Sequence, residues 1–140
     1  EQFSPSPETG ALWPSVSDSR IQAILSAQTP WGQVFGEQGL AAATVPSLFL
    51  GCVLDHALNY DDVAFAYNLL GSEDKYLLSL VTAGHLYTER STTTYRPAIN
   101  HFATAFFGYY LQGQEDYAEY LTAEYVEQFE DLAWGVYEEE

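Results

Sequence analysis

Basic residues are scarce in this chain. Four Lys and Arg stand against twenty Asp and Glu, a formal net charge of −16. A surface so poor in cations repels phosphate backbones and anionic headgroups, so nucleic acid is excluded as an expected partner and polyanionic substrates are disfavoured. Cysteine occurs once, as Cys52, which rules out an intrachain disulfide and any Cys-based zinc site. No apolar run approaches the ~20 residues of a membrane span, and none is expected. No Gly-x-Ser-x-Gly elbow and no Gly-rich phosphate loop occur anywhere in the sequence. The start, Glu1-Gln2-Phe3-Ser4-Pro5, reads as neither a signal peptide nor an initiator methionine but as a processed or excised chain. A single free thiol is compatible with the cytoplasm and with export alike, so the compartment stays open.

What is present is enough for one globular domain. In 140 residues, 47% are hydrophobic and 16% aromatic, sufficient for a sizeable core. Residues 1–19 read as a Ser/Pro-rich loop or linker, 20–133 as the folded part and 134–140 as an acidic tail. Arg20–Ala27 and Ser47–Val53 are short apolar runs of the kind that form buried strands, and Lys75–Thr82 is a third. Asn59 or Tyr60 starts a helix through Leu70, with Asp61 and Asp62 suited to its first turn and Gly71 to its C-cap. Glu37 to Ala43 predicts a helical turn. Strand, helix, strand at these spacings predicts βαβ units and a parallel sheet. Apolar residues at Ile99, Phe102, Ala103, Phe106 and Tyr110 predict a helix over 95–112, and Tyr117, Leu121, Val126, Phe129 and Leu132 a second one after Gly113. The expected class is therefore α/β, with three parallel strands, crossover helices and two C-terminal amphipathic helices. With so few strands, the first one should leave an edge that something covers.

Two positions carry chemistry. His85 follows Ala83-Gly84 directly after the third strand, at the carboxyl edge where catalytic groups of open α/β sheets collect. Asp55 lies just beyond the second strand. An acid and then a base at successive strand ends are two thirds of a catalytic triad, the Asp holding the imidazole that takes a nucleophile's proton. Asp61 and Asp62 compete with Asp55 for that part, although helix-start positions suit dipole compensation better. The adjacent His56 has no further ligands at metal-site spacing, so no metal is expected. His101 falls within a helical run and reads as a packed or surface histidine. Trp31 and Phe35, in a Gly-punctuated loop, line either an apolar acyl pocket or the core. Cys52 reads as a buried structural thiol, since nothing electropositive lies near it. No serine has the surroundings of a strained nucleophile.

The order of Arg20-Ile21-Gln22-Ala23-Ile24-Leu25, Pro30-Trp31-Gly32, Val45-Pro46-Ser47-Leu48-Phe49-Leu50-Gly51 with Asp55, Ala83-Gly84-His85 and Phe106–Gly113 resembles the C-terminal half of an α/β-hydrolase. The closest flavour is the dienelactone hydrolase and platelet-activating-factor acetylhydrolase-like group, over roughly residues 20 to 125. The resemblance implies the sixth to eighth strands of that family's sheet, with Asp55 and His85 matching the triad acid and base. It also implies that the nucleophile Ser and the oxyanion loop belong to an N-terminal half or a second chain, the break falling in a surface loop after the nucleophile's helix. The expected function is a subunit or fragment of a serine ester hydrolase acting on a small ester, without a cofactor and inactive as this chain alone. The alternative is a non-catalytic binding or regulatory module derived from the same fold.

Overall fold

The computed structural model describes residues 18–29, 32–85 and 95–138. Among these residues four strands form one sheet in the order β1-β2-β3-β4: β1 (Ile24–Ala27), β2 (Ser47–Cys52), β3 (Lys75–Leu80) and β4 (Leu132–Trp134). The first three are parallel, and β4 runs antiparallel to β3 with Leu78 opposite Trp134 and Leu80 opposite Leu132. The protein is thus α/β with a mixed sheet, not the all-parallel three strands expected.

The alternation of β2 and β3 sorts their side chains to two cores. Leu48, Leu50, Cys52, Leu78 and Leu80 pack with Phe102, Ala105 and Phe106 of α3 (Tyr95–Gln112). Phe49 and Leu77 point to the opposite face, against Val63 and Ala66 of α2 (Tyr60–Leu69) and Leu40 of the short helix α1 (Gly36–Ala41). Every residue of β2 is buried, which is why its sequence is an unbroken apolar run rather than an alternating one.

Both long helices fall close to the expected bounds. Asn59 caps α2 by accepting a hydrogen bond from the Asp61 N–H at 3.1 Å, with Asp61 and Asp62 at the positive end of the helix dipole. α3 ends where Gly113 takes a left-handed φ of +66°. Gly71 is glycine for a reason other than the C-cap role expected of it. Leu70 leaves the helix in extended conformation, and a Cβ on Gly71 would stand 1.9 Å from the Ala41 carbonyl oxygen. Close approach of two backbones, not a positive φ, fixes that residue.

Three further expectations are corrected. The first strand is shorter than Arg20–Ala27 and only half-buried, because among the described residues β1 is an outer strand with β2 as its one partner. The helix expected after Gly113 is broken into a 3-10 segment Glu115–Tyr120 and one turn, α4 (Ala123–Val126), and Leu132 belongs to β4. Acidic residues crowd this stretch with no base at i±4 to pair them, and the Thr122 hydroxyl accepts from the Tyr125 N–H, starting a new helix in its middle. Residues 134–137 are no tail either. The Gly135 N–H donates to the Leu77 carbonyl at 2.8 Å, the Ser79 hydroxyl to the Gly135 carbonyl at 2.8 Å, and the Tyr137 N–H to the Tyr60 hydroxyl at 2.8 Å. Among the described residues no helix is long and apolar enough to cross a membrane.

Candidate functional site

The parallel register of β1, β2 and β3 brings the residues following each strand to one edge of the sheet. After β2 the chain turns tightly, with the Leu54 N–H on the Ala83 carbonyl at 3.0 Å, so the loops after β2 and β3 lie against each other. Asp55 sits in this turn with its carboxylate buried. Its Oδ1 accepts from the N–H groups of Ala57 at 2.8 Å and Leu58 at 2.9 Å, the local closure that makes Asp a turn residue. The turn after β3 is braced by the Val81 N–H on the Asp131 carbonyl at 2.9 Å and by the Thr82 N–H on the Tyr95 hydroxyl at 3.2 Å.

His85, at the end of that turn, meets Asp55 across the gap: its Nδ1 lies 2.9 Å from Asp55 Oδ2. The Asp55 side chain is fully buried while that of His85 is 43% exposed, so the pair has a sealed acid and an accessible base. Gln28, just beyond β1, also donates through Nε2 to Asp55 Oδ2.

Burial is the largest single influence on Asp55 and opposes its charge. The hydrogen bonds from Leu58, His85, Gln28 and Ala57 together outweigh it and lower the carboxyl to about 2. At neutral pH Asp55 is therefore a carboxylate, able only to accept, and a neutral His85 must carry its proton on Nδ1. That leaves the Nε2 lone pair as the basic site of the ring, the arrangement a general base needs.

The remaining sequence candidates fall elsewhere. Asp61 and Asp62 stay in the first turn of α2, and Asp62 accepts from Gln33 rather than meeting His85. Phe35 is 58% exposed at the residue before the Gly36–Ala41 helix, and Trp31 lies outside the described residues. His56 is exposed, and among the described residues no three His, Cys, Asp or Glu converge as a metal site. His101 packs within an aromatic cluster, stacked on Tyr125 at 5.4 Å and edge-on to Tyr120 at 4.8 Å. Cys52 is buried, and desolvation, helped by the negative charge of Asp55, pushes its thiol up to about 12. It is no nucleophile at neutral pH.

No described serine serves His85. The Ser47 hydroxyl donates to the Val45 carbonyl at 2.9 Å, Ser26 pairs with Thr29, and Ser79 is engaged by Tyr60 and Gly135. Ser72 is buried without a hydrogen-bond partner. The residue that sequence reasoning missed is Gln28. A lone Gln closing an apolar strand was a visible signal, but its meaning depends on a register that periodicity does not supply.

No protein-family model matches this chain, and no curated protein is significantly similar to it.

Proposed function

We propose that Asp55 and His85 are the orienting acid and general base of a serine ester hydrolase. In this reading the nucleophilic Ser and the oxyanion donors are carried by another chain or by a segment outside these 140 residues. The Asp55–His85 bond at 2.9 Å carries the reading: the acid is sealed, ionised and held by backbone amides, and the base is exposed. A serine presented to Nε2 would lose its proton to His85 as it attacked the ester carbonyl, and the imidazolium would return that proton to the leaving alcohol. β1 to β3, consecutive parallel strands with both site residues at their carboxyl edge, support reading the chain as the C-terminal portion of an α/β-hydrolase.

The outer side of β1 supports a shared site. It pairs with no strand among the described residues, and Ile24, the first residue of β1, and Ile21 before it are 36% and 53% exposed. A parallel strand added there would cover the edge and extend the sheet toward the place where a nucleophile is needed. The expected substrate is a small carboxylic ester with a neutral or apolar acyl group, since a surface of net charge −16 repels anions.

The test has two arms. The isolated 140-residue chain should hydrolyse p-nitrophenyl esters no faster than its His85→Ala variant. The chain recovered from its native source with any companion polypeptide should yield a serine labelled by a fluorophosphonate probe, and ester turnover in that assembly should vanish with His85→Ala. Turnover by the isolated chain well above the variant would overturn the shared site. A native assembly without a labelled serine would instead favour a binding module that keeps the fold and lacks the chemistry.

A further inference from the structure

The alignment of Asp55 with His85 depends on a side chain from a third strand end. Gln28 is buried, 6% exposed, and its backbone φ of +48° lies in the left-handed region that side-chain-bearing residues seldom occupy. Its N–H donates to the Leu50 carbonyl at 2.9 Å, so the chain holds to β2 through this unusual conformation. The side chain then bridges two groups of opposite demand. Its Oε1 accepts the Cys52 N–H at 2.6 Å, and its Nε2 donates to Asp55 Oδ2. A backbone N–H requires an acceptor and an ionised carboxylate requires a donor, so the amide has one workable orientation. Each contact enforces the other.

We propose that Gln28 is the positioning residue of the Asp55–His85 pair, holding the carboxylate plane so that Oδ2 faces Nδ1. The proposal rests on the reading of Asp55 and His85 as acid and base. The carboxylate has two well-occupied sides: Ala57 and Leu58 fill Oδ1, and Gln28 and His85 share Oδ2. The terminal torsion of Asp is broad and intrinsically soft, so the donors decide its angle. Without Gln28, Oδ2 keeps one donor, the half-exposed ring of His85. With it, Oδ2 is anchored from the buried side by a residue fixed to both β1 and β2. Because Gln28 continues β1, the outer strand, the geometry of the acid is tied to the edge at which the missing part of the site would join.

The experiment reads the ring, not the rate. Nitrogen-15 NMR of His85 in the 140-residue chain, at a pH where the imidazole is neutral, should show the Nδ1–H tautomer predominating. Asp55→Asn should turn it to Nε2–H, because the Asn carbonyl stays with the Ala57 and Leu58 amides and its NH2 faces the ring. Gln28→Leu and Gln28→Met should each lower the Nδ1–H population severalfold while the backbone amide spectrum stays folded. The unmodified chain gives an independent reading: the Gln28 side-chain amide protons should exchange with solvent at least about tenfold more slowly than those of exposed Gln38, and Asp55→Asn should remove that protection. Folded Gln28 variants with the original tautomer, or Gln28 protons that exchange like those of Gln38, overturn the positioning role. If Asp55→Asn itself leaves the tautomer unchanged, the acid–base pairing is what fails, and the two failures are told apart by that variant alone.

Discussion

Asp55 shows how a buried charge is kept. Its carboxyl is lowered to about 2 against the cost of burial, by four hydrogen bonds from three different segments. A folded value below the ordinary carboxylate one means that the charged form stabilises the native state. That contribution is complete above about pH 4 and is lost as the pH falls toward 2. Asp55→Asn should therefore cost about 2 kcal/mol at pH 7, and the difference from the unmodified chain should close by about pH 2, as read by urea unfolding across that range. A cost that does not change with pH would mean that packing, not charge, is what Asp55 contributes. Cys52, fully buried at the end of β2, makes the opposite case. With its thiol pushed up to about 12, it should resist Ellman's reagent at pH 8 in the native chain and react fully once urea unfolds it.

Elements here are joined by a few polar contacts whose removal should be felt. The Tyr60 hydroxyl, at the start of α2, lies 2.6 Å from Ser79 Oγ on β3 and accepts the Tyr137 N–H after β4. One side chain thus ties a helix, a central strand and the C-terminal segment. Tyr60→Phe should cost about 1–3 kcal/mol in urea unfolding, by leaving the part-buried Tyr137 N–H without its acceptor and removing the bond to Ser79. It should also speed amide exchange around Gly135 and Tyr137 more than in β2. Gly71→Ala should be costlier than a surface substitution, by about 1–3 kcal/mol, because the new Cβ meets the Ala41 carbonyl rather than a movable side chain. Equal stability of Gly71→Ala and the unmodified chain would show that the two backbones separate readily.

At the scale of the whole molecule, charge and edge set the behaviour. A net charge of −16 on 140 residues repels itself in the compact state more than in the expanded one. Raising NaCl from about 20 to about 200 mM shortens the reach of that repulsion and should raise the thermal midpoint at pH 7. A midpoint that falls with salt would point to net-favourable ion pairs, yet the one Lys/Arg–carboxylate bridge among the described residues, Arg20–Asp18, is exposed. The outer edge of β1 is the other molecular property: a half-buried strand that opens on the exposed Ile24 and has no strand beyond it among the described residues.

Much of this was legible in the residues themselves. The continuous apolar run Ser47–Cys52 specified a doubly buried strand, the Asn59-Tyr60-Asp61-Asp62 start specified α2, and the 3.6-residue repeat specified Tyr95–Gln112. Asp55 and His85 stood out because strand ends with polar residues are where parallel sheets gather chemistry. These are local signals, carried by periodicity and capping. Tertiary structure decided what depends on residues far apart in sequence. It made Leu132–Trp134 a strand by offering β3 as a partner, where the spacing of Tyr117, Leu121 and Val126 had suggested a helix. It put Gly71 against Ala41, and it set the register by which Gln28, 27 residues before Asp55, reaches that carboxylate. Sequence spacing fixes what each segment can form alone; which strand ends meet is fixed only when the sheet closes.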